Sequence, residues 1–223
     1  MQPHATDTPN FCPESSLSSF ILEYDGYFTD DLISQILSEY TYDNPDYVVS
    51  GINQDGDYEV KEDQNLRSSR TLLISAPEIK AKNPSVRESI DAEIYSILNK
   101  VISEYVNDVM PLAQVNSDSG YELTSYAKGS FFKEHIDAFY PKRTFSSFST
   151  DNVRKVDAET RQLSVSIQLN EDYEGGELTF YNKKHTVTKK KGLITVFPSN
   201  HLFPHQVTPV EEGVRYSIVT WFS

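Results

Sequence analysis

The chain has 223 residues, 33 acidic against 20 basic, a formal net charge of −13, and 38% apolar residues that include 14 Tyr and 12 Phe. That length and apolar content suit one large domain with a real core and exclude wholesale disorder, and no apolar run approaches the ~20 residues needed to cross a bilayer. The acidic excess repels phosphate backbones and so argues against nucleic acid as a partner. Cys12 is the single cysteine, which excludes intramolecular disulfides and Cys-rich zinc sites. With no basic-then-apolar leader in the first residues, the chain reads as cytoplasmic.

Residues 1–20 are rich in Ser, Pro and Thr and read as a loose tail. A first helix is expected from Thr29 to Tyr40: Thr29 can cap it, Asp30 and Asp31 favour its positive end, and Leu32, Ile33, Ile36, Leu37 and Tyr40 form one apolar face. The polar stretch 43–65 reads as loop with room for one strand. A second helix is expected over 86–109, opened by a capping box at Ser85–Glu88 and carrying Ile90, Ile94, Ile97, Val101, Ile102 and Tyr105 at helical spacing; Pro111 ends it. From there the period becomes two. Gln162–Leu169 alternates polar and apolar, and short strands are expected at 121–127, 177–181, 184–188, 192–197, 205–210 and 214–222, separated by turn residues such as Gly175-Gly176, Gly192 and Gly213. Helices followed by many short strands predict an α+β chain, mainly β: a jelly roll buttressed by N-terminal helices. The expected layout is a single domain over 1–223, with helical support in 21–115 and the jelly-roll core in 116–223. The basic residues Lys183, Lys184 and Lys189–Lys191 read as a solvated hairpin face.

Two constellations carry chemistry. If Phe131–Asp137 is extended, His135 and Asp137 face one spot and supply two ligands for Fe(II), Mn(II) or Zn(II). His205 is the chosen third ligand; His201 lies four residues earlier, but Pro204 prevents a regular helix from presenting both. A His-x-Asp pair also occurs in ordinary polar strands. In the last strand Arg215 and Ser217 share a face with Val219 and Trp221, so a guanidinium stands on a face that otherwise reads as core. It needs an anion there, from the fold or from a ligand, unless it snorkels to solvent.

In order along the chain, Tyr126, His135-x-Asp137, His205 and Arg215-x-Ser217 resemble the 2-oxoglutarate/Fe(II) dioxygenases, in particular the prolyl-4-hydroxylase-like, PKHD-type branch. The linking text Arg161–Asn170, Asp172–Leu178, Phe197-Pro-Ser and His205–Val210 fits as well, and the likeness covers roughly 119–223. The resemblance implies a double-stranded β-helix whose mouth holds iron through His135, Asp137 and His205. It implies 2-oxoglutarate bound by Arg215, Ser217 and Tyr126, O₂ as oxidant, and ascorbate as reductant. Arg67 and Ser69 match substrate residues on an N-terminal loop of such enzymes, and Arg161 and Trp221 fall at peptide-contacting positions. The carboxylate at 137 disfavours a halogenase. The chain departs from collagen-type members in carrying Arg215 in place of Lys, and Phe132 stands where several prolyl hydroxylases have Tyr. The long polar segment 138–160 reads as a substrate-covering lid.

The resemblance thus implies hydroxylation of an unactivated C–H bond, foremost in a peptidyl proline, with succinate and CO₂ released. The alternatives are a hydroxylase of a free amino acid or other small molecule, or a non-catalytic jelly roll that binds metal and 2-oxoglutarate. A zinc hydrolase would leave Arg215 without a role. The expected partner is a peptide or small-molecule substrate, with neither nucleic acid nor membrane; nothing in the sequence fixes an oligomeric state.

Overall fold

The computed structural model describes residues 16–53, 60–61, 63–111, 113–138 and 161–223. Most of the expected tail, Cys12, and residues 139–160 of the expected lid lie outside the described residues.

Helix α1, Asp30–Glu39, forms as its sequence dictates. The Thr29 hydroxyl accepts from the Leu32 N–H at 3.2 Å, two aspartates sit in the first turn, and Leu32, Ile33 and Ile36 are buried. A short helix α2, Pro77–Lys80, precedes the long helix α3, Pro84–Val109. The expected capping box at Ser85 and Glu88 is not what starts α3. Pro84 takes the first helical position, with its φ already suited to a helix and no N–H to leave unpaired, so the helix begins earlier and Asn83 stands at the cap without a side-chain bond. In the first turn Arg87 is buried. Its Nε donates to Glu39 at 2.6 Å, its Nη1 donates to the Ile79 carbonyl at 2.7 Å, and its guanidinium lies over the Tyr40 ring. One side chain thereby ties α3 to α1 and α2.

The strands are β1 Leu22–Tyr24, β2 Val48–Val49, β3 Ile52–Asn53, β4 Val60–Lys61, β5 Arg70–Leu73, β6 Glu122–Tyr126, β7 Phe132–His135, β8 Leu163–Gln168, β9 Glu174–Gly175, β10 Leu178–Phe180, β11 His185–Thr186, β12 Ile194–Pro198, β13 His205–Val207, β14 Val210–Glu212 and β15 Arg215–Phe222. They form a seven-stranded sheet in the order β1-β12-β8-β15-β6-β5-β2, a four-stranded sheet β11-β10-β13-β7, and the pairs β14-β9 and β3-β4, all antiparallel.

Two expectations change here. The stretch 205–210 is not one strand: β13 pairs β7 and β10, whereas β14 pairs β9. The break falls at Thr208-Pro209, where Pro209 has no N–H to continue a ladder. The N-terminal half is also more than helical support, since β1, β5 and β2 belong to the large sheet, with Leu22 opposite Val196 and Thr71 opposite Thr124. Pairing across such sequence distances leaves no local signal.

The main core lies between the helices and the large sheet. Ile36, Ile94 and Leu98 pack in one cluster with Leu123, Ile167, Ile194 and Ile218. Strand β8 is buried on both faces: Leu163, Val165 and Ile167 join that core, and Ser164, Ser166 and Gln168 are buried on the other side. The lysines at 189–191 are engaged within the fold, Lys190 with Asp25 at 2.5 Å, Lys191 with Asp30 at 2.6 Å, and Lys189 with the Tyr173 and Gly175 carbonyls. Among the described residues no helix is long and apolar enough to cross a membrane.

Because Ile94 is wholly enclosed between α3 and the sheet, Ile94→Ala is expected to lower stability by about 2–5 kcal/mol, read as a shift of the urea midpoint at unchanged slope.

Candidate metal and substrate site

Strands β7 and β13 pair so that His135 stands directly opposite His205, and the two rings lie 4.3 Å apart. Asp137, two residues past His135, turns to the same spot. Its Oδ1 is 3.6 Å from His135 Nε2 and its Oδ2 is 3.5 Å from His205 Nε2. One ligand atom from each of the three residues lies within 4.8 Å of the others. Each imidazole is oriented from behind: His135 Nδ1 lies 2.8 Å from the Lys133 carbonyl and His205 Nδ1 lies 3.0 Å from the Phe203 carbonyl. A carbonyl can only accept, so both Nδ1 atoms carry a proton, and Nε2 is the ring nitrogen that each imidazole turns to Asp137. The Phe132 ring stacks on His135 at 3.5 Å, and Phe197 and Phe180 pack against His205.

The electrostatics give a donor set for a divalent cation. Burial pulls the His205 imidazole down to about 4, against the pull of Asp137, so it is neutral at physiological pH. Burial opposes ionisation of Asp137 too, but His205, His135 and a hydrogen bond from Ser164 outweigh it and hold that carboxyl well below the usual carboxylate range. The His135 and His205 imidazoles and the Asp137 carboxylate, with open space beside them, match a facial two-His–one-carboxylate site.

Next to this triad, β15 pairs β6 with Arg215 opposite Tyr126 and Ser217 opposite Thr124. Arg215 is only 2% exposed. Its Nη1 donates to Ser217 Oγ at 2.8 Å, Ser217 Oγ lies 2.7 Å from Thr124 Oγ1, and the guanidinium lies over the Tyr126 ring. No carboxylate pairs with Arg215 among the described residues, and its buried Nε has no partner. A buried guanidinium without an anion is costly, and this one shares a pocket with His135, Asp137 and His205. A carboxylate of a small ligand completes that arrangement, so these residues fit 2-oxoglutarate as well as iron.

A cavity of about 710 Å³ opens in front of the triad, lined by Arg67, Glu122, Phe132, His135, Asp137, Arg161 and Trp221, with an apolar wall from Val48, Val49 and Leu73. Arg161 donates to the Asp137 carbonyl at 3.3 Å and stacks on Trp221, 3.7 Å from the ring centre. Arg67 is buried and held on three sides, by Ser69 Oγ at 2.9 Å, the Gly51 carbonyl and Thr71. Ser69 differs from its expected role in substrate contact. It is 1% exposed, does not line the cavity, and uses its hydroxyl to join Arg67 to Ser50. Its backbone belongs to the chain that runs into β5, which turns the side chain inward.

Sequence reading missed Glu122, Thr124, Ser164 and Tyr173. Glu122 and Thr124 stand at alternate positions with Tyr126 on β6, a signal that the period-two pattern of 121–127 contains. Ser164 and Tyr173 reach the site only through the tertiary fold.

Residues 121–223 match the profile of the 2OG-Fe(II) oxygenase superfamily. A PKHD-type hydroxylase of Alteromonas mediterranea is 24% identical over 144 residues, 63% of this chain and 60% of its own length. A PKHD-type hydroxylase of Prochlorococcus marinus (strain NATL1A) is 30% identical over 129 residues, 56% of this chain and 50% of its own. The chain thus spans about half to three-fifths of the length of these curated relatives. Among solved structures, the fold is similar to a prolyl hydroxylase of Trichoplax adhaerens, solved with a hypoxia inducible factor peptide fragment (TM-score 0.66, 16% identity, 94% of this chain and 86% of that one). It is also similar to a prolyl-4-hydroxylase of Pseudomonas putida (TM-score 0.61, 18% identity, 93% and 97%).

Gly176 backs the Arg215 pocket. Its φ is +64°, and a Cβ there would come 2.9 Å from Val210, 3.1 Å from Tyr173 and 3.3 Å from Arg215 Cδ. Gly176→Ala is therefore expected to displace Arg215 and weaken 2-oxoglutarate binding by roughly tenfold, at little change in Mn(II) affinity, when both are measured by calorimetry.

Proposed function

We propose that this chain, whose residues 121–223 match the 2OG-Fe(II) oxygenase superfamily, is an Fe(II)- and 2-oxoglutarate-dependent dioxygenase that hydroxylates a peptidyl proline. The observation that carries the reading is the buried, anion-less Arg215 beside the convergent His135, Asp137 and His205. Either half alone fits more than one chemistry. A metal triad also serves hydrolases, and a buried Arg also serves a structural ion pair. Together they specify a metal and a dicarboxylate in one pocket.

When bound, Fe(II) with 2-oxoglutarate and O₂ supplies the oxidising chemistry: one oxygen atom enters the substrate C–H bond and the other leaves in succinate, with CO₂ released. The protein's own part is positional. His135, Asp137 and His205 hold the metal, with the Lys133 and Phe203 carbonyls keeping both imidazoles in the ligating tautomer. Arg215, aimed by Ser217 and Thr124, takes the distal carboxylate of 2-oxoglutarate in a charge-assisted bond. Phe132, Phe180 and Phe197 exclude water around the imidazoles. The substrate lies in the 710 Å³ cavity against Arg161 and Trp221, with Arg67 fixed behind by Ser69. A peptide is the favoured substrate because the fold resembles prolyl hydroxylases along nearly its whole length, one of them solved with a peptide. The intact ligand set and Arg215-x-Ser217 pair count against a non-catalytic binding module.

Anaerobic addition of Fe(II) and 2-oxoglutarate is expected to give the weak visible metal-to-ligand charge-transfer band, strongly reduced in Arg215→Ala. With O₂, proline-rich peptides should gain one oxygen on proline by mass spectrometry, and His135→Ala should abolish the coupled succinate. Intact succinate production in His135→Ala would sink the ligand assignment, and oxidation of free amino acids alone would replace the peptide.

A further inference from the structure

Among the described residues, Glu122 is the carboxylate of the cavity interior that the reaction chemistry does not use. It stands on β6 between Leu73 of β5 and Val219 of β15 and lines the cavity alongside Asp137, Arg67 and Arg161. Among the described residues its carboxylate has neither hydrogen bond nor ion pair. Both neighbouring guanidiniums are committed elsewhere: Arg67 to Ser69, Gly51 and Thr71, and Arg161 to the Trp221 face and the Asp137 carbonyl. Burial pushes the Glu122 carboxyl above its ordinary value against the pull of those two arginines, with Asp137 adding to the rise. A carboxylate withdrawn from water and left without a donor is unfavourable until something supplies one.

We propose that Glu122 selects a substrate carrying a cation, an ammonium or guanidinium, next to the oxidised residue. The inference rests on the proposed hydroxylase reading and adds a substrate class to it: a basic peptide. Three observations favour a cation over a neutral donor. The hydrogen bonds that Arg67 and Arg161 make run to Ser69, Gly51, Thr71 and the Asp137 carbonyl, and none runs to Glu122, which leaves its carboxylate as an acceptor facing the cavity. Glu78 adds a further carboxylate to the lining, with no ion pair to it among the described residues. The protein as a whole carries −13, so its field draws cationic ligands towards the mouth and repels acidic ones. A positively charged group beside Glu122 gains most where water is scarce, and its effect is discrimination against neutral and acidic peptides.

The chain's single tryptophan, Trp221, lies in the cavity wall and reports binding without turnover. Short proline peptides would be titrated into the anaerobic protein loaded with Fe(II) and 2-oxoglutarate, with Trp221 fluorescence as the signal. The set holds lysine, norleucine or glutamate beside the proline, each with a free or an acetylated amino terminus. Lysine is expected to bind about tenfold or more tighter than norleucine, with glutamate weakest and the difference shrinking as salt rises. If the amino terminus is the recognised cation, acetylation removes the gain and the lysine does not matter. In Glu122→Gln the preference should vanish while the norleucine peptide binds as before. Equal binding of the lysine, norleucine and glutamate peptides by the wild type, with free and acetylated termini alike, overturns the proposal. So does a preference that survives in Glu122→Gln, and so does failure of every peptide to bind. The wild-type series decides the point even if the variant folds poorly. Repeating it with alanine in place of proline separates the two readings. A charge preference that persists there keeps Glu122 and removes proline.

Discussion

Strand β15 is held on both sides, by β6 and by β8, and that double pairing fixes which of its residues face the chemistry. With Arg215 opposite Tyr126 and Ser217 opposite both Thr124 and Gln168, the residues at 215 and 217 point into the roll, and Ile218 and Phe222 point into the helix-backed core. A one-residue slip would exchange the two sets, driving the guanidinium into Ile94 and Leu98 territory and the isoleucine into the ligand pocket. The apolar half of the strand is therefore what enforces the polar half. The same logic governs β8, whose serines are held inward because Leu163, Val165 and Ile167 are held outward.

The metal triad depends on a second register, between β7 and β13. His135 and His205 are cross-strand partners, which brings their rings together without any loop having to be ordered. The backbone of each strand then supplies the carbonyl that fixes the imidazole tautomer. Only Asp137 stands beyond the end of its strand, and it is steadied by Arg161 on its carbonyl and Ser164 on its carboxylate. The site is thus built on rigid elements, which hold its side chains in fixed mutual positions.

The substrate cavity follows a different pattern. Its wall comes from both halves of the chain: Arg67 and Leu73 from the N-terminal half, Glu122, Arg161 and Trp221 from the other. Arg67 is immobilised by a buried hydroxyl cluster of Ser50, Ser69 and Thr71, so an arginine that reads as a loop side chain acts as a fixed wall. The strands β5 and β2, at whose ends this cluster sits, extend the large sheet beyond β6 and give the cavity its apolar edge at Val48, Val49 and Leu73.

Much of this was legible beforehand. The apolar stripe and Thr29 cap of α1, the long helix ending before Pro111, and the alternation in 162–169 and 214–222 are local patterns, and local geometry follows them. His135-x-Asp137 and Arg215-x-Ser217 were readable for the same reason: in a strand, residues two apart must share a face. The pairing of β14 with β9, the recruitment of β1, β2 and β5 into the sheet, and the inward turn of Ser69 were not readable, because each depends on a partner in another element. What the sequence determined by itself was the set of chemical groups and the faces of the elements that carry them. What only the tertiary structure decided was which faces meet: that His205 lands opposite His135, that Arg215 finds no carboxylate among the described residues, and that Glu122 stands unpaired among them in the cavity. Those outcomes rest on long-range pairing and burial, and no periodicity within a segment encodes them.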